Sequence, residues 1–285
     1  MDGLVKKKVA YQGVKGAYSH LACYHLYPKY EAIACKSFDD AMYLVEESEA
    51  DVAMLPMENS TAGRVEEIYR LIPKMKLYII DEYFEPVNHC LLALRGTRLK
   101  DIKSVSSHPQ ALAQCKTHIE ELNLKAIAKF DTAGSAEELI TLGDKKHTAI
   151  ASSLAAEIYD LDILSTDFQD LKNNTTRFLV LSKDYIIPTL DVKNRYITSM
   201  IFEVSNIPAS LYKVLGGFAT NGVNIIKIES YAGNGTLTIS QFHIDIDGHP
   251  QEENVKNALE ELAYFANSVK MLGTYIPHSL RDTLL

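Results

Sequence analysis

The sequence predicts an α/β protein in two parts, a long strand–helix region followed by a smaller region of βαββαβ order. Three observations carry this. Short apolar runs alternate with amphipathic helical stripes through the first 185 residues. The alternation breaks at Ile186-Ile187-Pro188-Thr189, and a different order of strands and helices follows.

In the first region Lys8 to Tyr11 reads as a strand, and Ser19 opens a helix. Ser37 and Asp40 form a capping box ahead of Phe38, Ala41, Met42 and Val45, which share one helical face. Asp51 to Leu55 is a strand, followed by a polar turn and a helix faced by Val65, Ile68, Tyr69 and Ile72. The next strand ends near Ser106. Pro109 then sits in the first turn of one helix faced by Leu112, Cys115, Ile119 and Leu122. Ser135 and Glu138 cap a further helix with Ala136, Leu139, Ile140 and Gly143 on one side. Ala149 to Ala151 is a short strand, and Ser152 or Ser153 starts the helix after it. Such alternation predicts mostly parallel strands.

In the second region Thr198, Met200, Phe202 and Val204 alternate as a strand, and Leu211, Val214, Leu215 and Phe218 stripe a helix that Asn221-Gly222 ends. Val223 to Ile228 is a strand, Ala232-Gly233-Asn234-Gly235 a hairpin turn, and the next strand runs to Ile246. Val255, Leu259, Leu262 and Ala266 stripe the second helix, and Val269 to Tyr275 closes the unit. Leu237 and Ile239 lie out of phase with Phe242, Ile244 and Ile246. That predicts either a bulge or a sheet covered on both faces, by another sheet or by a second subunit.

A formal net charge of -8 argues against a general nucleic-acid binder. No apolar run reaches the roughly 18 residues that span a membrane, and the N-terminus has no apolar signal-peptide core, so a cytoplasmic protein is expected. Cys23, Cys35, Cys90 and Cys115 are far apart and lack metal-ligand spacing, which predicts buried reduced thiols and no metal.

The polar residues gather where strands end and helices or turns begin. They are Ser19, Glu58-Asn59-Ser60-Thr61, Ser106-Ser107-His108, Thr132 to Ser135, and Thr175-Thr176-Arg177 in the stretch NNTTRFLVL. Such junctions present unpaired backbone N–H groups, and Arg can grip a carboxylate through two hydrogen bonds. On the residues alone, a pocket for a small carboxylate and a set of ordinary caps and turns both stand. Gly13-Val14-Lys15-Gly16 is too short for a P-loop, His108 is a structural first-turn residue or a base, and Asp245 to His249 reads as a strand ending in a solvated turn.

Taken in order, the segments Gly13 to Ser19, Pro56-Met57-Glu58-Asn59-Ser60, Ser107-His108-Pro109-Gln110, Asp131 to Ala136 and Thr176-Arg177-Phe178 resemble those of bacterial prephenate dehydratases with a C-terminal ACT domain. The resemblance spans nearly the whole chain. It implies loss of carbon dioxide and water from prephenate to give phenylpyruvate, with no metal or organic cofactor. It implies a two-lobed catalytic domain over residues 5–185, like type II periplasmic binding proteins, with lobes of about 5–80 with 160–185 and of 85–158. A linker (186–195), an ACT domain (196–276) and a tail (277–285) would follow. Thr176 matches the threonine that assists the departing hydroxyl, and Arg177 the arginine that holds a carboxylate. Ser19, Asn59, Ser60, Ser107, Gln114, Thr132 and Phe178 match cleft positions, with Glu58 supporting. Phenylalanine is the implied effector, at Ser210, Leu211, Asn224, Glu229 and Ser230 of a homodimer or homotetramer.

The chain departs from the family pattern at Val14 and Ala17, at Ala209-Ser210-Leu211 and at Glu229-Ser230-Tyr231-Ala232. These departures leave open a different ligand response or a purely oligomerising role for the second region. Arogenate dehydration and a non-catalytic small-anion sensor are the alternative readings.

Overall fold

The computed structural model describes residues 6–232 and 239–284. The N-terminal apolar runs become β1 (Lys8–Gln12), β2 (Glu31–Cys35), β3 (Val52–Asn59), β4 (Gly63–Arg64) and β5 (Tyr78–Pro86). Between them lie α1 (Tyr18–Leu26), α2 (Phe38–Glu46) and α3 (Glu66–Leu71). A second sheet uses β6 (Cys90–Ala93), β7 (Ser104–Ser107), β8 (Lys125–Ala128), β9 (His147–Ala151) and β10 (Asp162–Ser165). Its helices are α4 (Pro109–Gln114), α5 (Lys116–Glu121), α6 (Thr132–Leu142) and α7 (Ser153–Ile158). Strand β11 (Thr175–Ser182) then returns to the first sheet, whose order is β2-β1-β3-β11-β5 with β4 on β3; the second runs β10-β6-β9-β7-β8. Two lobes result, with the chain crossing between them twice. Pairs β1–β2, β1–β3, β7–β8 and β7–β9 are parallel, whereas β6 pairs antiparallel with β9 and β10.

Period-two alternation builds the second lobe's core on both faces of its sheet. Cys90, Leu92, Ala149 and Ala151 pack with α6 and α7, while Leu91, Val105 and Ile150 pack with Ala111, Cys115 and Ile119. All four cysteines are buried and unpaired, and burial pushes the thiols up, Cys90 to about 11 and Cys115 to about 12.

Two helix readings differ from the sequence expectation. Helix α6 begins at Thr132, not at Ser135, because the Asp131 carboxylate accepts from Gly134 N at 2.5 Å and caps it. The expected single helix after Pro109 is broken at Cys115. Asp170 explains the break: its N–H donates to the Gln114 carbonyl at 2.7 Å, and its carboxylate accepts from Thr117 N at 3.1 Å, capping α5.

The chain divides into two compact units, Met1–Ile68 with Tyr83–Phe178 and Tyr69–Glu82 with Leu179–Leu285. The second unit contains β12 (Ile197–Glu203), α8 (Ser210–Thr220), β13 (Ile225–Ala232), β14 (Ile239–Asp247), α9 (Glu253–Phe265), β15 (Ser268–Tyr275) and the short α10 (Arg281–Leu284). The order β13-β14-β12-β15, antiparallel throughout, is the ferredoxin-like arrangement of a βαββαβ chain. Met200, Phe202, Ile244 and Ile246 face Val214, Phe218, Val255 and Leu262 across the core.

The opposite face of this sheet carries Ser199, His243 and Asp245, all buried. Residues 69–82, which run into β5 of the first sheet, pack on this face. Lys270 Nζ donates to the Met75 carbonyl at 2.5 Å and Lys227 Nζ meets the Tyr69 hydroxyl. A Cβ on Gly273 would stand 1.9 Å from the Ile79 carbonyl oxygen, so only glycine allows this approach. The register of β13 on β14 also shifts at Tyr231/Ala232, the bulge that the out-of-phase residues call for. The expected turn at 233–235 and Leu237 lie outside the described residues. Ser199 and Asp245 both address Nε2 of His243, at 2.8 and 3.1 Å, so the three form no nucleophilic relay.

Within the same unit, burial raises the Asp81 carboxyl to about 6. A raised carboxylate favours the protonated folded state, so this contribution is full below about pH 4 and is lost as pH rises through 6. Asp81→Asn is therefore expected to raise stability at pH 7 by up to roughly 3 kcal/mol, with no gain at pH 4. Urea unfolding at the two pH values checks this; an equal effect at both would contradict it.

Candidate active site

Alternation along two strands sorts the polar residues of the first lobe. On β11, Thr176 and Phe178 share one face and Arg177 takes the other; on β3, Asn59 and Glu58 divide in the same way. Behind the sheet, Arg177 is 4% exposed and its Nη1 lies 2.8 Å from Glu58 Oε1. In front, Asn59 Nδ2 donates to Thr176 Oγ1 at 3.0 Å and to Asn174 Oδ1 at 2.6 Å.

The direction of these bonds is set by backbone groups. Asn59 Oδ1 accepts from Thr61 N at 3.0 Å, Ala62 N at 2.8 Å and the Thr61 hydroxyl at 2.8 Å. Backbone N–H groups only donate, so the amide nitrogen of Asn59 must face Thr176. Thr176 Oγ1 is an acceptor there, and its own proton is left to be donated into the cavity.

Gln114 reaches this cluster from α4 in the second lobe. Its Nε2 donates to Thr61 Oγ1 at 3.1 Å, and its Oε1 accepts from Asn174 Nδ2 at 3.1 Å and lies 2.9 Å from His89 Nε2. His89 Nδ1 is 2.7 Å from the Tyr18 hydroxyl. Burial lowers the His89 pKa and holds Tyr18 well above the ordinary phenol range, so both are neutral at physiological pH.

These side chains line a cavity of about 390 Å³ between the lobes, with Ser19, Thr132, Phe178, Arg64, His108 and Gln110. Among the described residues that line it there is no Asp or Glu. An adjoining chamber of about 740 Å³ shares Ser19 and Thr132. The Gly13–Gly16 loop borders that chamber and is tied to α7: Ser152 Oγ donates to the Gly16 carbonyl at 2.6 Å, and Tyr159 OH to that of Lys15 at 3.2 Å. Gly16 has φ +85°, and a Cβ there would stand 3.0 Å from Ala155, so the lobes meet at this glycine.

The structure thus brings Ser19, Asn59, Gln114, Thr132, Thr176 and Phe178 together. Glu58 and Arg177 are placed behind the sheet as an ion pair. Ser107 is buried and donates to the Ile150 carbonyl at 2.7 Å. Ser60 donates to the Asn173 carbonyl at 2.7 Å and accepts from Thr175 N at 2.9 Å, which fixes the start of β11. Arg64, His89 and Asn174 are cavity residues outside the motif segments, and Tyr18 lies within the Gly13–Ser19 segment but is given no role there. Asn174 stands in the polar run before Thr176, and His89 follows Pro86-Val87-Asn88 at the crossing between lobes. In the second unit, Ser210 and Leu211 open α8 behind Ala209 (φ 61°), Asn224 donates to Asp247 Oδ2 at 2.9 Å, and Glu229 and Ser230 alternate on β13.

A two-lobed α/β scaffold with hydroxyls, amides and a guanidinium around one cavity has the form of a site for a small anionic molecule. Residues 9–185 match the family described as prephenate dehydratase, and the chain belongs to that family of carbon–oxygen lyases. It is 41% identical over 268 residues to a bifunctional N-acyl-homoserine lactone acylase/prephenate dehydratase of Komagataeibacter europaeus, covering 94% of this chain and 95% of that one. It is 39% identical over 282 residues to arogenate dehydratase 2 of Petunia hybrida, covering 94% and 71%. The solved structure of an Arthrobacter aurescens prephenate dehydratase in complex with L-Phe aligns with a TM-score of 0.84 at 30% identity, over 98% of this chain and 91% of that one.

Proposed function

We propose that the protein converts prephenate to phenylpyruvate, carbon dioxide and water, and that it prefers prephenate to arogenate. The observation behind the preference is that hydroxyls, amides and Arg64 surround Thr176 in this cavity, while Asp131 and Glu137 line the adjoining chamber. Prephenate brings a keto oxygen, which accepts from such donors. Arogenate brings an ammonium in its place, which would be desolvated without a counter-charge.

The chemistry asks for orientation and one donor. As the ring carboxylate leaves as carbon dioxide, its electron pair enters the ring and expels hydroxide, which takes a proton from solvent to become water. Thr176 donates a hydrogen bond to that oxygen as charge develops on it. Arg64, which also pairs with Glu66 at 2.7 Å, is the cation placed to hold the carboxylate that stays. Val87, Ala111 and Phe178 give the departing carboxylate an apolar wall. Arg177, held by Glu58, acts behind this face by fixing the two strands.

Residues 5–185 form the catalytic domain in this reading, joined by 186–195 to an ACT domain at 196–276 with a tail at 277–285. Phenylalanine is its feedback effector, acting on a homo-oligomer through Ser210, Leu211, Asn224, Glu229 and Ser230. The L-Phe complex of the Arthrobacter relative supports this. The test is kcat/KM for both substrates on the full chain, with and without phenylalanine. Prephenate should be favoured roughly tenfold or more, the discrimination expected when a pocket leaves a substrate's polar group unpaired. Phenylalanine should lower the rate and give a calorimetric binding isotherm. Equal or reversed preference would overturn the substrate assignment, and absent heat the effector assignment.

A further inference from the structure

We propose that His89 is a positioning residue for the dehydration: held in its Nε2–H tautomer by Tyr18, it fixes the Gln114 amide that joins the two lobes beside Thr176. The tautomer follows from counting protons along the chain of bonds. Asn59 cannot rotate its amide, because Thr61 and Ala62 backbone N–H groups hold its oxygen. Asn174 must then offer its oxygen to Asn59 and its nitrogen to Gln114 Oε1. Gln114 Oε1 is therefore an acceptor, and His89 Nε2, 2.9 Å away, must carry the proton.

The other tautomer would set a bare nitrogen lone pair against that oxygen. Turning Gln114 to relieve it would face its NH₂ toward the NH₂ of Asn174, and turning Asn174 would move the conflict to Asn59, which is fixed. A wrong proton on His89 thus breaks a bond somewhere between Gln114 and Thr176. At the far side of the ring, the Tyr18 hydroxyl lies 2.7 Å from Nδ1 and 3.0 Å from the Asn88 carbonyl; with the ring proton on Nε2, Nδ1 is the closer of its two acceptors. The His89 backbone is pinned as well: its N–H donates to Gln169 Oε1 at 2.7 Å, and its carbonyl accepts from Phe168 N at 2.8 Å. His89 is 2% exposed, so little of it is open to the cavity that it borders, and its two side-chain partners hold the ring.

The kinetic side of this inference rests on the dehydratase reading; the tautomer does not. Nitrogen-15 NMR of the histidine rings of the full chain at neutral pH should show His89 as the Nε2–H form, and Tyr18→Phe should shift it toward a mixture. His89→Asn, whose amide nitrogen cannot reach the Nε2 position, should lower kcat roughly tenfold with KM within about twofold. His89→Gln, whose nitrogen overlays Nε2, should restore kcat to within about threefold of the original. An Nδ1–H form in the unaltered protein would overturn the proposal, whatever the substrate proves to be. So would His89→Asn and His89→Gln with equal kcat. If Tyr18→Phe fails to fold, the unaltered spectrum and the His89 pair still decide it.

Discussion

Thr176→Ala is expected to lower kcat by roughly 10²–10⁴-fold, the range for losing a positioned donor to a reacting oxygen, while KM stays within about threefold. The geometry gives the reason. Asn59 Nδ2 donates to Thr176 Oγ1 at 3.0 Å, so this hydroxyl has one proton and one task left for it. A threonine is too weak an acid to give up that proton outright at neutral pH. In the proposed reaction its contribution is a hydrogen bond that strengthens as hydroxide departs, which acts on the transition state and not on binding. Thr176→Ser should keep most of the rate, since the same donor remains. Initial rates of phenylpyruvate formation over a range of prephenate concentration separate the two parameters. A full rate in Thr176→Ala would remove Thr176 from the reaction, and a loss confined to KM would make it a binding residue.

The second large effect concerns stability. Arg281→Ala is expected to cost roughly 3–5 kcal/mol, the usual consequence of removing one partner of a buried ion pair. Arg281 Nε lies 2.7 Å from Glu82 Oε1 and Nη2 lies 2.5 Å from Oε2, with side-chain exposures of 6% and 0%. His278 N adds a bond to the same carboxylate at 3.2 Å, so Glu82 ties the C-terminal segment to β5. Glu82→Gln combined with Arg281→Met should recover more than half of the loss, because neither buried charge then remains. Thermal unfolding of the three variants checks this. A double variant no more stable than Arg281→Ala would contradict it.

The parts of the fold that rest on local pattern were legible in the sequence. Phe38, Ala41, Met42 and Val45 are the buried residues of α2, and Ser37 with Asp40 forms the capping box expected there. The βαββαβ order likewise follows from periodicity. What escaped depends on distant groups. Nothing near Cys115 announces that Asp170 will end one helix and cap the next. Nothing in Tyr69–Glu82 marks it as packing on the open face of the sheet β13-β14-β12-β15, although Gly273 on β15 admits the close approach of Ile79.

The site divides in the same way. Asn59 and Thr176 could be paired from order and alternation. The adjacency of Thr176 and Arg177 invites placing both in the cleft, yet neighbours on a strand point to opposite faces, and Arg177 meets Glu58. His89 carries no motif, and Tyr18 lies inside the Gly13–Ser19 segment without a role assigned to it. Their part is visible only when Gln114 and Asn174 stand between them and Thr176, because the direction of each hydrogen bond fixes that of the next.

The most direct test of the account is to incubate the purified full chain with prephenate and measure carbon dioxide and phenylpyruvate together against the enzyme-free reaction. Equal amounts of both products, formed far faster than without protein, are what a donor-lined cleft around Thr176 predicts. Binding of prephenate with no acceleration of either product would contradict it and leave a carrier or sensor of small anions in place of an enzyme.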